Sequence, residues 1–278
     1  MTRRLFRQPK DHTMTGGLRT SCKHPCSLRG CLLLTAMLLL ATTTPPAAAD
    51  DAASLRDLVD RARMTLDGFI ADPNMTWLHD HIKEARGIFI LPQLLKAAFF
   101  FGGSGGSGVL LVRDEKAGAW SEPAFYTLGA GSFGFQFGAQ ASEVIVLVMT
   151  QKGVESMLTT TLKLGADATI AIGPIGAGIE GATAPNLSAD LLSFARSKGL
   201  FAGISLEGGV IAAMNDENST YYGRTVRPTD ILVRRDVSNT HSAALQGAVA
   251  KAASTTSKPA VSADPPKIPA EYPAPGKE

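Results

Sequence analysis

Apolar residues recur at Leu55, Leu58, Val59, Ala62, Leu66, Phe69 and Ile70, in steps of three and four. That period predicts an amphipathic helix of about five turns over residues 52–70. Asp50 and Asp51 stand at its start, where the helix dipole favours acids, and ADPN (71–74) stops it. TWLHDHIKEA (76–85) predicts a second, shorter helix with Thr76 as its cap.

After Gly87 the pattern changes to short β-branched and aromatic runs broken by glycine or proline. GIFILP (87–92), KAAFFFGG (96–103), GVLLVRD (108–114), PAFYTLGAG (123–131), SFGFQFGAQ (132–140) and EVIVLVMT (143–150) read as strands of an antiparallel sheet. Phe133, Phe135 and Phe137 alternate with other residues and so share one face. VIVLVM (144–149) is apolar throughout, as in a strand covered on both faces. QKGVESMLTT (151–160) turns helical again. ADATIAIGPIGAGIEG (166–181) and ADLLSFARSKGLFAGISLEGGVIAAM (189–214) give further strands, with SKG and EGG as tight turns. NDENSTYYG (215–223) is a polar turn or short helix, and a further helix starts at Thr229 or Asp230. From about Ala252 the Pro, Ala, Ser and Lys content predicts a disordered tail over 252–278. The fold class expected is α+β: an antiparallel, twisted, barrel-like sheet with N-terminal amphipathic helices packed on it.

Gly102 to Gly108 hold seven glycines and serines between two apolar runs. Gly102-Gly103-Ser104-Gly105-Gly106 fits the nucleophile elbow G-x-S-x-G, but that motif needs a helix after the turn, and GVLLVRD reads as a strand. Gly103, Gly105 and Gly108 fit G-x-G-x-x-G, as do Gly129, Gly131 and Gly134, and Gly176, Gly178 and Gly181. Three matches in one glycine-rich chain show how cheap the pattern is, and none precedes a helix that could receive a pyrophosphate. The expected role of the run is a wide hairpin bend. No nucleotide, cofactor or catalytic residue is expected.

Leu32 to Leu40 form an apolar run too short for a membrane span, preceded by Lys23 and Arg29 and followed by Ala47-Ala48-Ala49. Residues 1–49 therefore read as an export signal cleaved near Ala49, giving a periplasmic or secreted chain. Met14 is an alternative start. Removing those 49 residues takes seven of the 27 basic side chains and one of the 25 acids. The remaining 20 and 24 give a net charge near −4 instead of +2, which excludes a nucleic-acid-binding body. Cys22, Cys26 and Cys31 all leave with the leader, so the mature chain has no disulfide or thiolate site.

His79 and His81 lie two apart on a predicted helix and face different sides, which disfavours a metal pair. Lys83, Arg86, Lys96 and Arg113 could form a small patch for anionic headgroups, with scattered surface charge as the alternative. The first helix balances Arg56, Arg61 and Arg63 with Asp57, Asp60 and Asp67, unlike the basic face of a membrane-surface helix.

EARGIFILPQLLKAAFFFGGSGGSGVLLVRD, GSFGFQFGAQASEVIVLVMT, LKLGADATIAIGPIG and SKGLFAGISLEGGVI, in that order and spacing, resemble the SYLF domain family. The likeness runs from about Asp60 to Asp236, within a domain drawn as 50–236. It implies lipid binding, including phosphoinositides in eukaryotic members, with an N-terminal amphipathic segment contributing. Some eukaryotic members also bind actin, which an exported chain would not meet. The functional expectation is a non-enzymatic exported protein binding a phospholipid or phosphoinositide-like anionic lipid at the envelope membrane. The alternative is an envelope interaction module that binds a protein or self-associates through a sheet edge. The lipid-contacting residues expected are Leu55, Leu58, Val59, Leu66, Phe69 and Ile70 on the helix. Lys83, Arg86, Lys96, Phe99 and Phe101 complete the set, with Phe133, Phe135 and Phe137 covering the apolar site.

Overall fold

The computed structural model describes residues 47–98, 101–133, 138–173, 188–197 and 206–254. Helix α1 (Ala47–Ala71) leads to the short α2 (Thr76–His81) and four long strands: β1 (Gly87–Ala98), β2 (Phe101–Val112), β3 (Ala124–Phe133) and β4 (Gly138–Val148). Then come α3 (Gln151–Met157), β5 (Thr161–Lys163), β6 (Ile170–Ile172), β7 (Leu191–Ser197), β8 (Val210–Ala213) and α4 (Asn215–Tyr222). A π turn (Asp230–Arg234), a 3-10 turn (Thr240–Ser242) and α5 (Ala243–Ser254) close the chain.

The strands form one curled sheet in the order β5-β8-β3-β2-β1-β4-β7-β6, a half-barrel of α+β class as the sequence predicts. Among the described residues every strand pairing is antiparallel except β6 beside β7, which is parallel, so the sheet is mixed. Both faces are covered. Ile145 and Leu147 of β4 enter the core beneath α1, α2, α4 and α5, and Val144, Val146 and Val148 enter the core on the opposite face. The unbroken apolar run of β4 is what that double burial requires.

Helix α1 forms where the heptad-like stripe predicts it. Leu55, Leu58, Val59, Ala62, Leu66 and Phe69 are buried against the sheet. The outer face carries the i, i+4 pairs Arg61–Asp57 and Arg63–Asp67. Arg196 of β7 fastens its far end, donating to Gly68 O at 3.0 Å with its guanidinium 5.0 Å from the Phe69 ring.

Three expectations change. Thr76 is the first residue of α2 and Met75 its cap, and the helix gives way to a turn after His81. The segment after Thr229 closes as a π turn ending on Arg235 at φ 60°. The expected tail begins inside a helix: α5 reaches Ser254, and Ala252 is buried against the α1 core, so the folded body extends beyond Asp236. The face shared by Phe133, Phe135 and Phe137, the third glycine triplet and the SKG turn involve positions outside the described residues or side chains.

The largest correction concerns the glycine run. Gly102 to Gly108 do not bend. They lie within β2, paired with β3 throughout and with β1 from Gly102 to Gly105, and the strand continues to Val112. GIFILP and KAAFFFGG are not one strand each either: β1 runs from Gly87 over a bulge at Pro92 to Ala98, and Phe101 to Gly103 already belong to β2.

Candidate functional site

Proline cannot donate to a sheet ladder, so its presence in a central strand demands an irregularity. From Ile90 to Leu95, β1 advances five residues while β2 advances four, from Val109 to Gly105. On the other side Leu91 and Leu94 of β1 oppose Val144 and Ser142 of β4, again with one residue extra in β1. The bulge at Pro92 and Gln93 therefore reverses the side-chain alternation. Before it, Ile88 and Ile90 face α1 while Phe89 and Leu91 face the opposite core; after it, Leu94 joins that opposite core. Leu95 is thereby turned to the α1 side, beyond the helix's cover, and is 54% exposed.

The glycines of β2 make room for this bulge. A Cβ on Gly106 would stand 2.2 Å from Gln93 O, and one on Gly108 would stand 2.3 Å from Ile90 O. Any side chain there would collide with backbone.

A cleft of about 510 Å³ opens where α1, the bulge and α4 meet. Leu55, Leu58, Pro92, Leu95 and Met214 give it an apolar lining, and Gly105 to Ser107 of β2 form part of its floor. Asp51, Asp216 and Glu217 stand among its polar lining. Arg61 is the cation of the lining, with Nε 2.9 Å from Asp57 Oδ2. Across the bulge, a second cavity of about 390 Å³ shares Arg61, Pro92 and Gln93 and adds Met64, 55% exposed, with Thr65 and Glu143. Cavities of this size suit small ligands or one acyl chain.

Among the expected contact residues, Leu55 and Leu58 line the cleft. Val59, Leu66 and Phe69 lie in the closed core, and Ile70 packs partly buried against it. Releasing α1 to expose that face would forfeit about 10 kcal/mol of gross apolar burial, at roughly 2 kcal/mol per large side chain. The four cations do not form one patch. Arg113 Nη1 donates to Lys83 O at 2.9 Å, and Arg86 is paired with Glu115. Lys96 lies ten residues further along, about 30 Å at the extended rise per residue. Phe99 and the side chain of Phe101 lie outside what is described.

The other motifs find plain structural partners. Ser104 sits mid-strand between Lys96 and Ala130. His79 Nε2 lies 3.1 Å from Phe69 O, and His81 Nδ1 lies 2.8 Å from Trp77 O with its ring stacked on the indole. Among the described residues no three His, Cys, Asp or Glu side chains converge on a point, and no helix is long and apolar enough to cross a membrane.

Sequence reasoning missed Met214, Asp216 and Glu217, which only the pairing of β8 with β3 brings to the cleft. The bulge did carry a signal, the Pro-Gln step between two apolar runs.

Residues 129–252, from within β3 to within α5, match the Ysc84 family, described as Las17-binding protein actin regulator. The chain is 35% identical over 152 residues to the SH3 domain-containing YSC84-like protein 1 of Bos taurus, covering 54% of this chain and 44% of the relative. The Homo sapiens protein of that name is 34% identical over the same shares. The LAS seventeen-binding protein 3 of Saccharomyces cerevisiae is 32% identical over 179 residues, covering 61% of this chain and 38% of the relative. The chain thus spans less than half the length of these relatives. Over residues 129–252 the chain is similar to the Ysc84/SYLF family, a span that takes in β4 to β8 and α4 and begins after α1, β1 and β2.

Proposed function

We propose that this domain is a binding module without catalysis, and that it takes up lipid at the cleft beside the β1 bulge. The observation that carries this reading is Leu95. A bulge, and two glycines whose Cβ atoms would meet its backbone, turn a leucine out of the core onto an open cleft, where its side chain is available to an apolar ligand. Leu55 and Leu58 add to the same surface without α1 leaving the sheet. The apolar run over 32–40 and the alanines at 47–49 support export before this role is exercised, with cleavage near Ala49 leaving Asp50 at the head of α1. The site of action is then an envelope membrane, from the periplasmic or outer side.

Co-sedimentation of the full chain with phospholipid vesicles tests the reading. The protein pellets with vesicles, and Leu95→Asp stays in the supernatant while keeping its thermal midpoint. A wild-type chain that never pellets overturns the proposal.

A second reading is a protein-binding module, favoured by the relative named for binding LAS seventeen and by the edge strand β6, where Ile172 is 49% exposed. It predicts a defined oligomer or protein complex that is unaffected by Leu95→Asp.

A further inference from the structure

We infer that the C-terminal segment from Asn239 to Ser254 is a proton-operated strap across α1, closed while the Glu122 carboxyl holds a proton and loosened when that proton leaves. The strap operates whether or not the cleft takes lipid. Its clasp is a matter of proton count at one hydroxyl. Ser242 is fully buried, and its Oγ stands within hydrogen-bonding reach of Glu122 Oε2 and, at 2.6 Å, of Asn239 O. A serine hydroxyl has one proton to give. With Glu122 ionised, one of those two oxygens faces Ser242 Oγ with no proton between them, an unfavourable contact in a buried place. With Glu122 protonated, its O–H donates to Ser242 Oγ and Ser242 donates to Asn239 O. Both contacts are then satisfied.

The surroundings act in the same direction. Tyr221 and Tyr222 face Glu122 from α4, and burial pushes both phenols up, which keeps them uncharged. Arg56 and Asp60 face Tyr221 from α1 with opposite signs that offset. Burial also raises the Glu122 carboxyl above its ordinary 4.5, against the donors from Ser242 and the Asn239 amide. A raised carboxyl supports the closed form below 4.5 and withdraws that support as pH climbs through its folded value. Beside it in the turn, His241 Nε2 lies 3.2 Å from Asp60 Oδ2 and 3.2 Å from Arg56 O, both on α1. That pair is ionic only while the imidazole is protonated, so it too slackens as pH rises. Helix α5 grips the α1 core through Leu245, Val249 and Ala252. Arg56 and Asp60 lie on the two turns of α1 that bear Leu55 and Leu58, so a loosened strap is felt where the helix lines the cleft.

Hydrogen exchange of the full chain at about pH 5 and about pH 7.5, each corrected for the chemical exchange rate, tests the strap. Opening of residues 240–254 should be about three-fold or more larger at the higher pH, the scale of one stranded hydrogen bond and one weakened ion pair. The amides of β1 and β4 should keep the same protection at both. Glu122→Gln, whose side-chain amide can donate to Ser242 at every pH, should erase most of the difference by keeping the segment closed. Ser242→Ala should erase it the other way, leaving the segment open to the same degree at both. Equal protection of residues 240–254 at the two pH values in the wild type overturns the strap. So does a loss of protection that spreads evenly over β1 and β4, or a wild-type response that survives Glu122→Gln.

Discussion

Gly106 lies so close beneath the backbone of Gln93 that a Cβ built upon it would stand 2.2 Å from the Gln93 carbonyl oxygen. One strand's lack of side chains is therefore the condition for its neighbour's bulge. Gly106→Ala should cost about 3 kcal/mol or more, because the obstacle is backbone and cannot rotate away. In a domain of this size that lowers the thermal midpoint by roughly 6–12 °C. Gly131→Ala, where a Cβ meets nothing within 4 Å, should be neutral or slightly stabilising. Thermal unfolding of the two variants checks the contrast, and equal effects would refute it.

Asp190 joins β7 to the loop before β6 and to the cap of α3. It accepts from Thr150 Oγ1 at 2.6 Å and from Thr169 N and Oγ1 at 3.0 Å, with Lys152 Nζ at 3.2 Å. Burial alone would raise its carboxyl, but these donors outweigh it and hold the group at about 2, below its ordinary 3.8. A depressed carboxylate stabilises the fold above its unfolded value and stops doing so as pH falls through its folded one. Asp190→Asn should thus lose on the order of 2 kcal/mol at pH 7, with the deficit shrinking between about pH 4 and pH 2. Urea unfolding across that range reads it; a deficit independent of pH would show the charge to be irrelevant.

Glu122 behaves oppositely. Burial raises its carboxyl despite the Ser242 hydroxyl and the Asn239 amide directed at it. A raised carboxyl costs stability as pH climbs past its unfolded value, since the folded state must then hold an ill-solvated charge. Glu122→Gln escapes that cost. The difference in thermal midpoint, variant minus wild type, should therefore grow in the variant's favour from pH 4 to pH 7, and a shrinking difference contradicts the assignment.

Arg196 ties the end of α1 to the sheet. Its Nε and Nη2 reach Glu143 Oε2 at 2.9 and 2.6 Å while Nη1 holds Gly68 O. Arg196→Ala leaves Glu143 without its counter-ion and should cost about 2–4 kcal/mol, part of it recovered by adding Glu143→Gln. Hydrogen exchange should quicken first at the amides of residues 64–71. Uniform quickening across the domain would mean the arginine is not a local fastener.

Much of this architecture was readable before any coordinates. The stripe from Leu55 to Phe69 specified α1 and its buried face, and the apolar run of β4 announced a strand with two covered sides. Gly102 to Gly108 misled because glycine marks two opposite situations, a bend and a close approach of backbones, and local sequence does not distinguish them. The distinguishing fact lies ten residues or more away, in Pro92, whose missing N–H forces the bulge that β2 must accommodate. Helix α5 went unforeseen since its alanines, Ala243 to Ala253, run straight into a Pro-Ala-Ser tail of similar composition. The cleft itself was illegible: Asp51 and Met214 line one cleft only because β8 folds back beside β3.

Native mass spectrometry of the full chain, purified without detergent, puts the receptor role to its most direct trial. Wild type should carry one lipid per chain, and Leu95→Asp, equally folded, should carry none. A wild-type spectrum showing bare protein alone, or a variant that retains the same lipid, would mean that the outward-turned leucine serves some other end.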